Sequence, residues 1–126
     1  MSTAPKSHNQ EFLKLVNDAK TRVKEIGIDD YKRLRSEGVD HVLVDVREDS
    51  EWKAGHAAGA RHLGKGIIER DIESTVPDKN TRLVLYCGGG FRSALAADSL
   101  QKMGYKEVYS LDGGWRAIQS SGLPLE

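Results

Sequence analysis

Two kinds of apolar pattern alternate along the chain. A continuous apolar run at residues 83–86 predicts a strand buried on both faces of a sheet, and the segment 41–46 predicts another strand. Leu95, Leu100 and Met103, with alanines between them, predict an amphipathic helix that Gly104 ends. Because strands and helices alternate in this way, we expect an α/β fold with a mainly parallel sheet and right-handed crossovers.

The remaining segments continue this alternation. Asp29 and Asp30 provide an acidic cap for a short helix that Gly38 closes. Further predicted elements are a helical turn at 50–54, a short strand at 60–63, an irregular, partly helical segment at 64–74, a strand at 106–111 and a last helix at 115–121.

The N-terminal segment has a helical pattern of its own. Residues 1–10 are polar, and we expect them to be frayed. From Glu11 onward, apolar residues recur at alternating steps of four and three, which predicts a helix: Phe12, Val16, Ala19, Val23 and Ile26. We expect this helix to dock on the domain; self-association or a contact with a partner is the alternative.

The composition limits the function classes. The 19 basic and 19 acidic residues cancel, so the overall charge gives no reason to expect nucleic acid or a membrane as a partner. A single cysteine excludes an intramolecular disulfide framework, and no membrane-length apolar run or signal peptide is evident, which favours the cytoplasm. His41, His56 and His62 lack the paired spacing of a zinc site, and we expect neither metal nor cofactor.

The candidate chemistry centres on the only cysteine, Cys87. It directly follows the strand predicted at 83–86, and three glycines at 88–90 separate it from a helix that begins at Phe91. Consecutive glycines let the backbone turn with positive φ and let amide N–H groups approach a neighbouring atom without side-chain obstruction. The loop and the helix N-terminus would therefore direct N–H dipoles at the sulfur and favour the thiolate, which is the reactive form.

Four motifs, taken in order, resemble those of the rhodanese-like sulfurtransferases. The central one fits the C-x-x-G-x-R loop from Cys87 to Arg92, and the others are Val44–Glu48, Glu51–Ala60 and Leu111–Trp115. The resemblance covers about residues 26–124, and Ala57 stands where the family usually carries a larger apolar residue such as isoleucine. It implies a rhodanese-like three-layer fold, with a mainly parallel central sheet flanked by helices.

The resemblance also sets the domain boundary. It makes residues 23–26 the first strand, so that the N-terminal helix ends near Thr21. The chain is then divided into a polar tail with a helical extension at 1–21 and a single rhodanese-like domain at 22–126.

The activity implied by the resemblance is sulfur transfer. Cys87 would take a sulfane sulfur from thiosulfate or a related donor as a persulfide, and pass it to a thiol, or to cyanide in an assay. The N–H groups of the loop would hold this persulfide. Arg92 would counter the charge of donor and persulfide, or anchor the loop through its own hydrogen bonds. The implied substrate-binding loop residues are Gly88, Gly89, Gly90 and Phe91.

Arg47 is a further candidate for binding an anionic donor. Asp45 and Arg47 end the strand predicted at 41–46, and therefore lie at the same edge of a parallel sheet as Cys87. The alternative, which we favour, is an internal ion pair of Arg47 with Asp45 or Glu51 that ties loops together.

Two functions of other classes remain open. Phosphatases and arsenate reductases also use a loop with a cysteine and an arginine, but the phosphatases of this fold have five residues between them. Here four residues separate Cys87 from Arg92, and this shorter loop suits a single sulfur better than a tetrahedral oxyanion. The other alternative is a non-catalytic binding module. Such modules commonly lack the nucleophile, which this chain keeps.

Overall fold

The structure is a computed structural model in which residues 8–126 are described. The frayed segment predicted at 1–10 lies, as far as residue 7, outside these residues. The helices are α1 (Gln10–Lys20), α2 (Ile28–Ser36), α3 (Asp49–Ala54), α4 (Ile68–Thr75), α5 (Phe91–Lys102) and α6 (Gly114–Ser120). The strands are β1 (Lys24–Ile26), β2 (Val42–Asp45), β3 (Arg61–His62), β4 (Arg82–Tyr86) and β5 (Glu107–Leu111).

The five strands form one parallel sheet in the order β1-β5-β4-β2-β3. The α/β class and the parallel sheet expected from the alternating pattern are confirmed. β4 lies at the centre, paired with β5 on one side and β2 on the other, and its register places Asp45 beside Tyr86. The carboxyl ends of β2 and β4 therefore meet at the same edge of the sheet, directly before Cys87.

Two apolar layers cover the two faces of the sheet. Successive side chains of β4 point to opposite faces, as a strand requires: Leu83 and Leu85 join one core cluster, and Val84 and Tyr86 join the other. The first cluster includes side chains of α4 and α5, and the second includes side chains of α2 and α6. Every residue of β4 after Arg82 is fully buried, as the continuous apolar run predicts.

α1 docks on the domain by packing against α5. Val16 and Ala19 of its apolar stripe are buried, and α1 ends at Lys20, next to the predicted boundary at Thr21. Immediately after the helix, Arg22 donates hydrogen bonds at 2.9 Å to both carboxylate oxygens of Asp98 on α5. The buried positions of the stripe are therefore used inside the molecule, as expected for a helix that docks on the domain.

The segment predicted to be irregular and partly helical at 64–74 contains α4 over most of its second half. Its buried residues Ile68 and Ile72 are four positions apart and so lie on one face of the helix. The two-residue strand β3 at the sheet edge is shorter than the predicted strand at 60–63. Among residues 8–126, no helix has the length and apolar content needed to cross a bilayer.

Candidate active site

Cys87 lies where β4 ends and the loop to α5 begins. Its side chain is 1% exposed. The backbone N–H of Gly90 donates a hydrogen bond of 3.1 Å to the sulfur Sγ. Gly90 has a φ of +108°, a conformation that residues with a side chain rarely adopt, whereas Gly88 and Gly89 have no positive φ. The requirement for positive φ that we inferred from the three glycines therefore applies to Gly90 alone.

Two buried hydroxyl groups continue the network from the sulfur. Sγ of Cys87 lies 3.5 Å from Oγ of Ser93, in the first turn of α5, and the thiol can donate to this hydroxyl. Oγ of Ser93 lies 2.8 Å from Oγ of Ser110 on β5. When Cys87 is a thiolate, the hydroxyl of Ser93 can instead donate to the sulfur, because a hydroxyl group is both donor and acceptor.

The beginning of α6 supports the loop from another side. The backbone N–H of Trp115 donates to the carbonyl oxygen of Cys87 at 2.7 Å, and that of Arg116 donates to the carbonyl oxygen of Gly88 at 3.4 Å. This close approach requires Gly114, whose φ is +48° and whose backbone lies against Cys87 and Gly88. The glycines of the motif at 111–115 thus bring α6 within hydrogen-bonding distance of the loop.

Arg92, the last residue of the loop motif, forms an ion pair with Glu51 of α3. Its two terminal nitrogens donate to the two carboxylate oxygens at 2.8 and 3.1 Å. This hydrogen-bonded pair lowers the pKa of Glu51 to about 2 and raises the pKa of Arg92. The charge of Arg92 is therefore balanced by a carboxylate, as expected of an arginine that anchors the loop.

Arg47 has a structural environment. It is 3% exposed, and its guanidinium donates to both carboxylate oxygens of Asp45 and to the carbonyl oxygen of Gly55. The guanidinium also lies 4.6 Å from the ring centroid of Trp115 and 5.6 Å from that of Tyr86. The guanidinium of Arg47 is thus paired with Asp45 inside the molecule, which supports the internal ion pair and not the role in binding an anionic donor.

The histidines near this edge also have structural contacts. The ring of Trp52 is stacked on His56 at 3.5 Å and on His62 at 4.9 Å between centroids. His56 hydrogen bonds through Nδ1 to the carbonyl oxygen of Trp52, as expected for a histidine in a turn. Across residues 8–126, no three metal-ligating side chains lie together.

A groove of about 550 Å³ lies over the loop. The walls of the groove come from the loop, from α3 and α6, and from the N-terminal segment: His8, Glu51, Gly88, Gly89, Phe91, Arg92, Trp115 and Arg116. The ring of His8 meets the ring of Phe91 edge-on at 4.6 Å between centroids, and Phe12 meets it at 6.4 Å. The N-terminal segment therefore forms part of the wall of the candidate site.

Sequence reasoning identified the loop but not its surroundings. The sequence places Glu51 at the start of the motif at 51–60 and offers it as a partner of Arg47, but nothing local connects it with Arg92, 41 positions away. The pairing of β4 with β5, which brings Ser110 beside the loop, is likewise a product of topology. No signal in the sequence pointed to His8 or Arg116 as groove residues.

Comparison with known proteins places this geometry in context. A family model described as Rhodanese-like domain matches residues 28–121. A thiosulfate sulfurtransferase GlpE of Ectopseudomonas mendocina is 39% identical over 97 residues, which cover 75% of this chain and 85% of that protein.

Two solved structures are also similar. One, described as a protein of unknown function and "possible tyrosine phosphatase" from Rhodopseudomonas palustris, matches with a TM-score of 0.81 and 28% identity over 98% of this chain and 99% of that one. The other, a rhodanese with anions from Escherichia coli, matches with a TM-score of 0.62 and 30% identity over 68% of this chain and 96% of that one.

Proposed function

Since the chain belongs to the rhodanese-like domain family, we propose that it is a sulfurtransferase that uses Cys87 as its nucleophile. The donor is thiosulfate or a related sulfane compound, and the acceptor is a thiol, or cyanide in an assay. The observation that carries this proposal is the position of Sγ, which accepts the N–H of Gly90 at the start of α5. The similarity to a thiosulfate sulfurtransferase supports it.

In the first step, the thiolate of Cys87 attacks the outer sulfur of thiosulfate. A new S–S bond forms, the S–S bond of the donor breaks, and sulfite leaves with the electron pair. Cys87 then carries a persulfide. The N–H group of Gly90 donates to Sγ, and those of Gly88, Gly89 and Phe91 would join it in stabilising the negative charge of the persulfide, as oriented donors do in catalysis.

In the second step, the thiolate of the acceptor attacks the outer sulfur of this persulfide. The S–S bond on Cys87 breaks, the acceptor leaves as a persulfide, and Cys87 returns as a thiolate. Cyanide accepts the same sulfur and leaves as thiocyanate. Because the enzyme is modified covalently between the two half-reactions, double-displacement kinetics are expected.

Arg92 contributes by holding the loop in place. Its two hydrogen bonds to Glu51 connect the first turn of α5 with α3, so the end of the loop is fixed on two elements. We place this positioning role ahead of direct contact with the donor, because the charge of Arg92 already has a carboxylate partner.

The experiment is intact-protein mass spectrometry after incubation with thiosulfate. We expect a gain in mass of one sulfur atom that a reducing thiol reverses and that Cys87→Ser does not show. Full transfer activity in Cys87→Ser or Cys87→Ala would overturn the proposal. A wild-type thiol that neither takes up sulfur nor reacts with an alkylating agent would indicate a buried structural cysteine instead.

A phosphatase remains the second candidate, because a structural relative that matches nearly the whole chain is described as a possible tyrosine phosphatase. The four residues between Cys87 and Arg92 argue against it, since a tetrahedral oxyanion needs a wider loop. Hydrolysis of an aryl phosphate that is lost in Cys87→Ser would establish this activity.

The domain division and the compartment are part of the same proposal. Residues 22–126 would form the catalytic domain and residues 1–21 an N-terminal extension, whose helix α1 packs against α5. A cytoplasmic location suits the enzyme, because a reducing compartment keeps a free thiol available for attack.

A further inference from the structure

Among the residues that the structure describes, one arginine of the groove over the loop has no carboxylate partner. Arg92 and Glu51 cancel each other through two hydrogen bonds. Arg116 lines the same groove, and among the described residues its guanidinium has neither an ion pair nor a hydrogen bond to any partner. Within residues 8–126, Arg116 is therefore a groove cation that an entering anion can bind.

The backbone holds Arg116 next to the loop. Its N–H donates to the carbonyl oxygen of Gly88, and the preceding residue, Trp115, donates to that of Cys87. Arg116 shares the groove wall with Gly88 and Gly89, the residues that directly follow the nucleophile. Arg116 is exposed, so its guanidinium can exchange water for a ligand.

A guanidinium has the chemistry that an oxyanion requires. It is charged at every accessible pH, and its planar set of N–H donors can bind two oxygens of one anion at the same time. A sulfane donor such as thiosulfate carries its charge on a group with several oxygens, next to the sulfur that is transferred. When the sulfur moves to Cys87, the leaving sulfite keeps these oxygens and takes the electron pair of the broken S–S bond, so that its full double charge lies on this group.

We propose that Arg116 binds the oxyanion end of the sulfur donor, that is, the oxygens of thiosulfate that leave as sulfite. This inference rests on the sulfurtransferase function proposed above. It gives the two arginines of the groove separate roles: Arg92 positions the loop, and Arg116 binds the donor.

The first test compares steady-state kinetics of the full-length wild type, Arg116→Gln and Arg116→Lys. We expect Arg116→Gln to raise the KM for thiosulfate about tenfold with a smaller change in kcat, the size of one charge-assisted hydrogen bond. Arg116→Lys keeps the charge but not the planar donors, so its KM should lie between those of the other two.

Arg35→Gln is the matched control. It also removes one positive charge, but Arg35 lines a different cavity, together with Lys32, Ser36 and Leu123. We expect this variant to change the KM for thiosulfate less than twofold. An equal rise in KM for Arg35→Gln and Arg116→Gln would show an effect of net charge, and would overturn the inference.

Dependence on salt separates binding of an anion from a merely structural role. The wild-type KM for thiosulfate should rise as salt is increased from about 20 to about 200 mM, because ions screen an exposed charge. The rise should be clearly smaller in Arg116→Gln. If the KM rises with salt by the same factor in wild type and Arg116→Gln, donor binding by Arg116 is contradicted, even if the two proteins have different KM values.

Binding of sulfite distinguishes failure of the inference from failure of the proposed function. We would titrate sulfite into Cys87→Ser, with and without Arg116→Gln, by calorimetry; this measurement needs no turnover. Weaker binding after loss of Arg116 supports the anion site even if no persulfide forms. Unchanged binding overturns it, even if the wild type proves to be an active sulfurtransferase.

Discussion

Gly114 offers a sharp test of how α6 supports the loop. Its φ of +48° lies in the left-handed region, and a side chain there would be strained. A methyl carbon added at Gly114 would overlap the carbonyl oxygen of Cys87 and lie 2.9 Å from the carbonyl carbon of Gly88. Both are backbone atoms, so no side chain can rotate away to relieve the contact. Gly114→Ala is therefore expected to displace the loop or the start of α6.

The expected cost has three parts. The left-handed conformation costs an alanine about 1–2 kcal/mol, and forcing an extra carbon into a packed interior costs about 1–3 kcal/mol. An alanine also lowers the conformational entropy of the unfolded chain, which stabilises the folded protein by about 0.4–1 kcal/mol. We therefore expect Gly114→Ala to lower the free energy of unfolding by about 1–5 kcal/mol, with a midpoint of roughly 3 kcal/mol.

Gly122→Ala provides the matched control. Gly122 has a φ of +84°, but a methyl carbon there would have no atom within 4 Å. This variant includes the conformational cost without the overlap, so we expect a loss of about 1 kcal/mol. Urea denaturation followed by tryptophan fluorescence measures both values.

The rate of persulfide formation is a second measurement of the effect of Gly114→Ala. If the strain is relieved by moving α6, the hydrogen bond from Trp115 to Cys87 is lengthened from 2.7 Å, and the folded variant should form persulfide more slowly than Gly122→Ala. Equal stability and equal rates for the two variants would refute the role we assign to this contact.

Three further variants test the surroundings of the loop. Glu51→Gln should lower the free energy of unfolding by about 1 kcal/mol at neutral pH. Arg92 lowers the pKa of Glu51 to about 2 in the folded protein, so the ion pair stabilises the protein above the ordinary pKa of 4.5. The difference between wild type and variant should therefore persist above pH 4.5 and disappear as the pH falls toward 2. Ser93→Ala should slow persulfide formation about tenfold, since it removes a hydroxyl beside the sulfur. Phe12→Ala should cost about 1–2 kcal/mol of stability through lost contact with Phe91.

For each of these three variants, one result would contradict the prediction. A stability difference for Glu51→Gln that stays constant down to pH 2 would exclude the ion pair as its cause. An unchanged single-turnover rate in Ser93→Ala would mean that the hydroxyl does not act on the sulfur. For Phe12, the control is Leu15→Ala on the same helix; Leu15 is 61% exposed, so equal losses of stability would speak against the contact with Phe91.

The fold was largely predictable because its signals are local. The apolar run before Cys87 predicted β4, because a strand that is buried on both faces has a continuous apolar sequence. The spacing of leucines after Cys87 predicted α5, because a helix that is buried on one face has apolar residues at steps of three and four. The prediction was weaker for α4, whose two buried isoleucines are surrounded by charged residues. The order of the strands in the sheet depends on contacts distant in sequence, and no local pattern contains it.

The sequence alone predicted only those site residues that lie close together along the chain. Cys87 and Arg92 belong to one loop and could be recognised together, whereas the partner of Arg92 comes from α3, 41 positions earlier. Two arginines and two carboxylates near one sheet edge allow more than one pairing. The structure pairs Arg47 with Asp45 and Arg92 with Glu51, and only the relative positions of β2 and α3 decide between these arrangements.

This pairing has a consequence for turnover. A site that binds an anionic donor must release anionic sulfite, and an arginine left without any partner inside a loop would hold the anion strongly or disturb the loop when it leaves. Here the arginine in the loop keeps Glu51 as a permanent partner, so the departure of sulfite does not change its charge balance. Binding then depends on an exposed cation on α6, Arg116, where water can replace the anion at small cost. The separation of the anchoring arginine from the binding arginine lets the loop stay rigid while the donor site fills and empties.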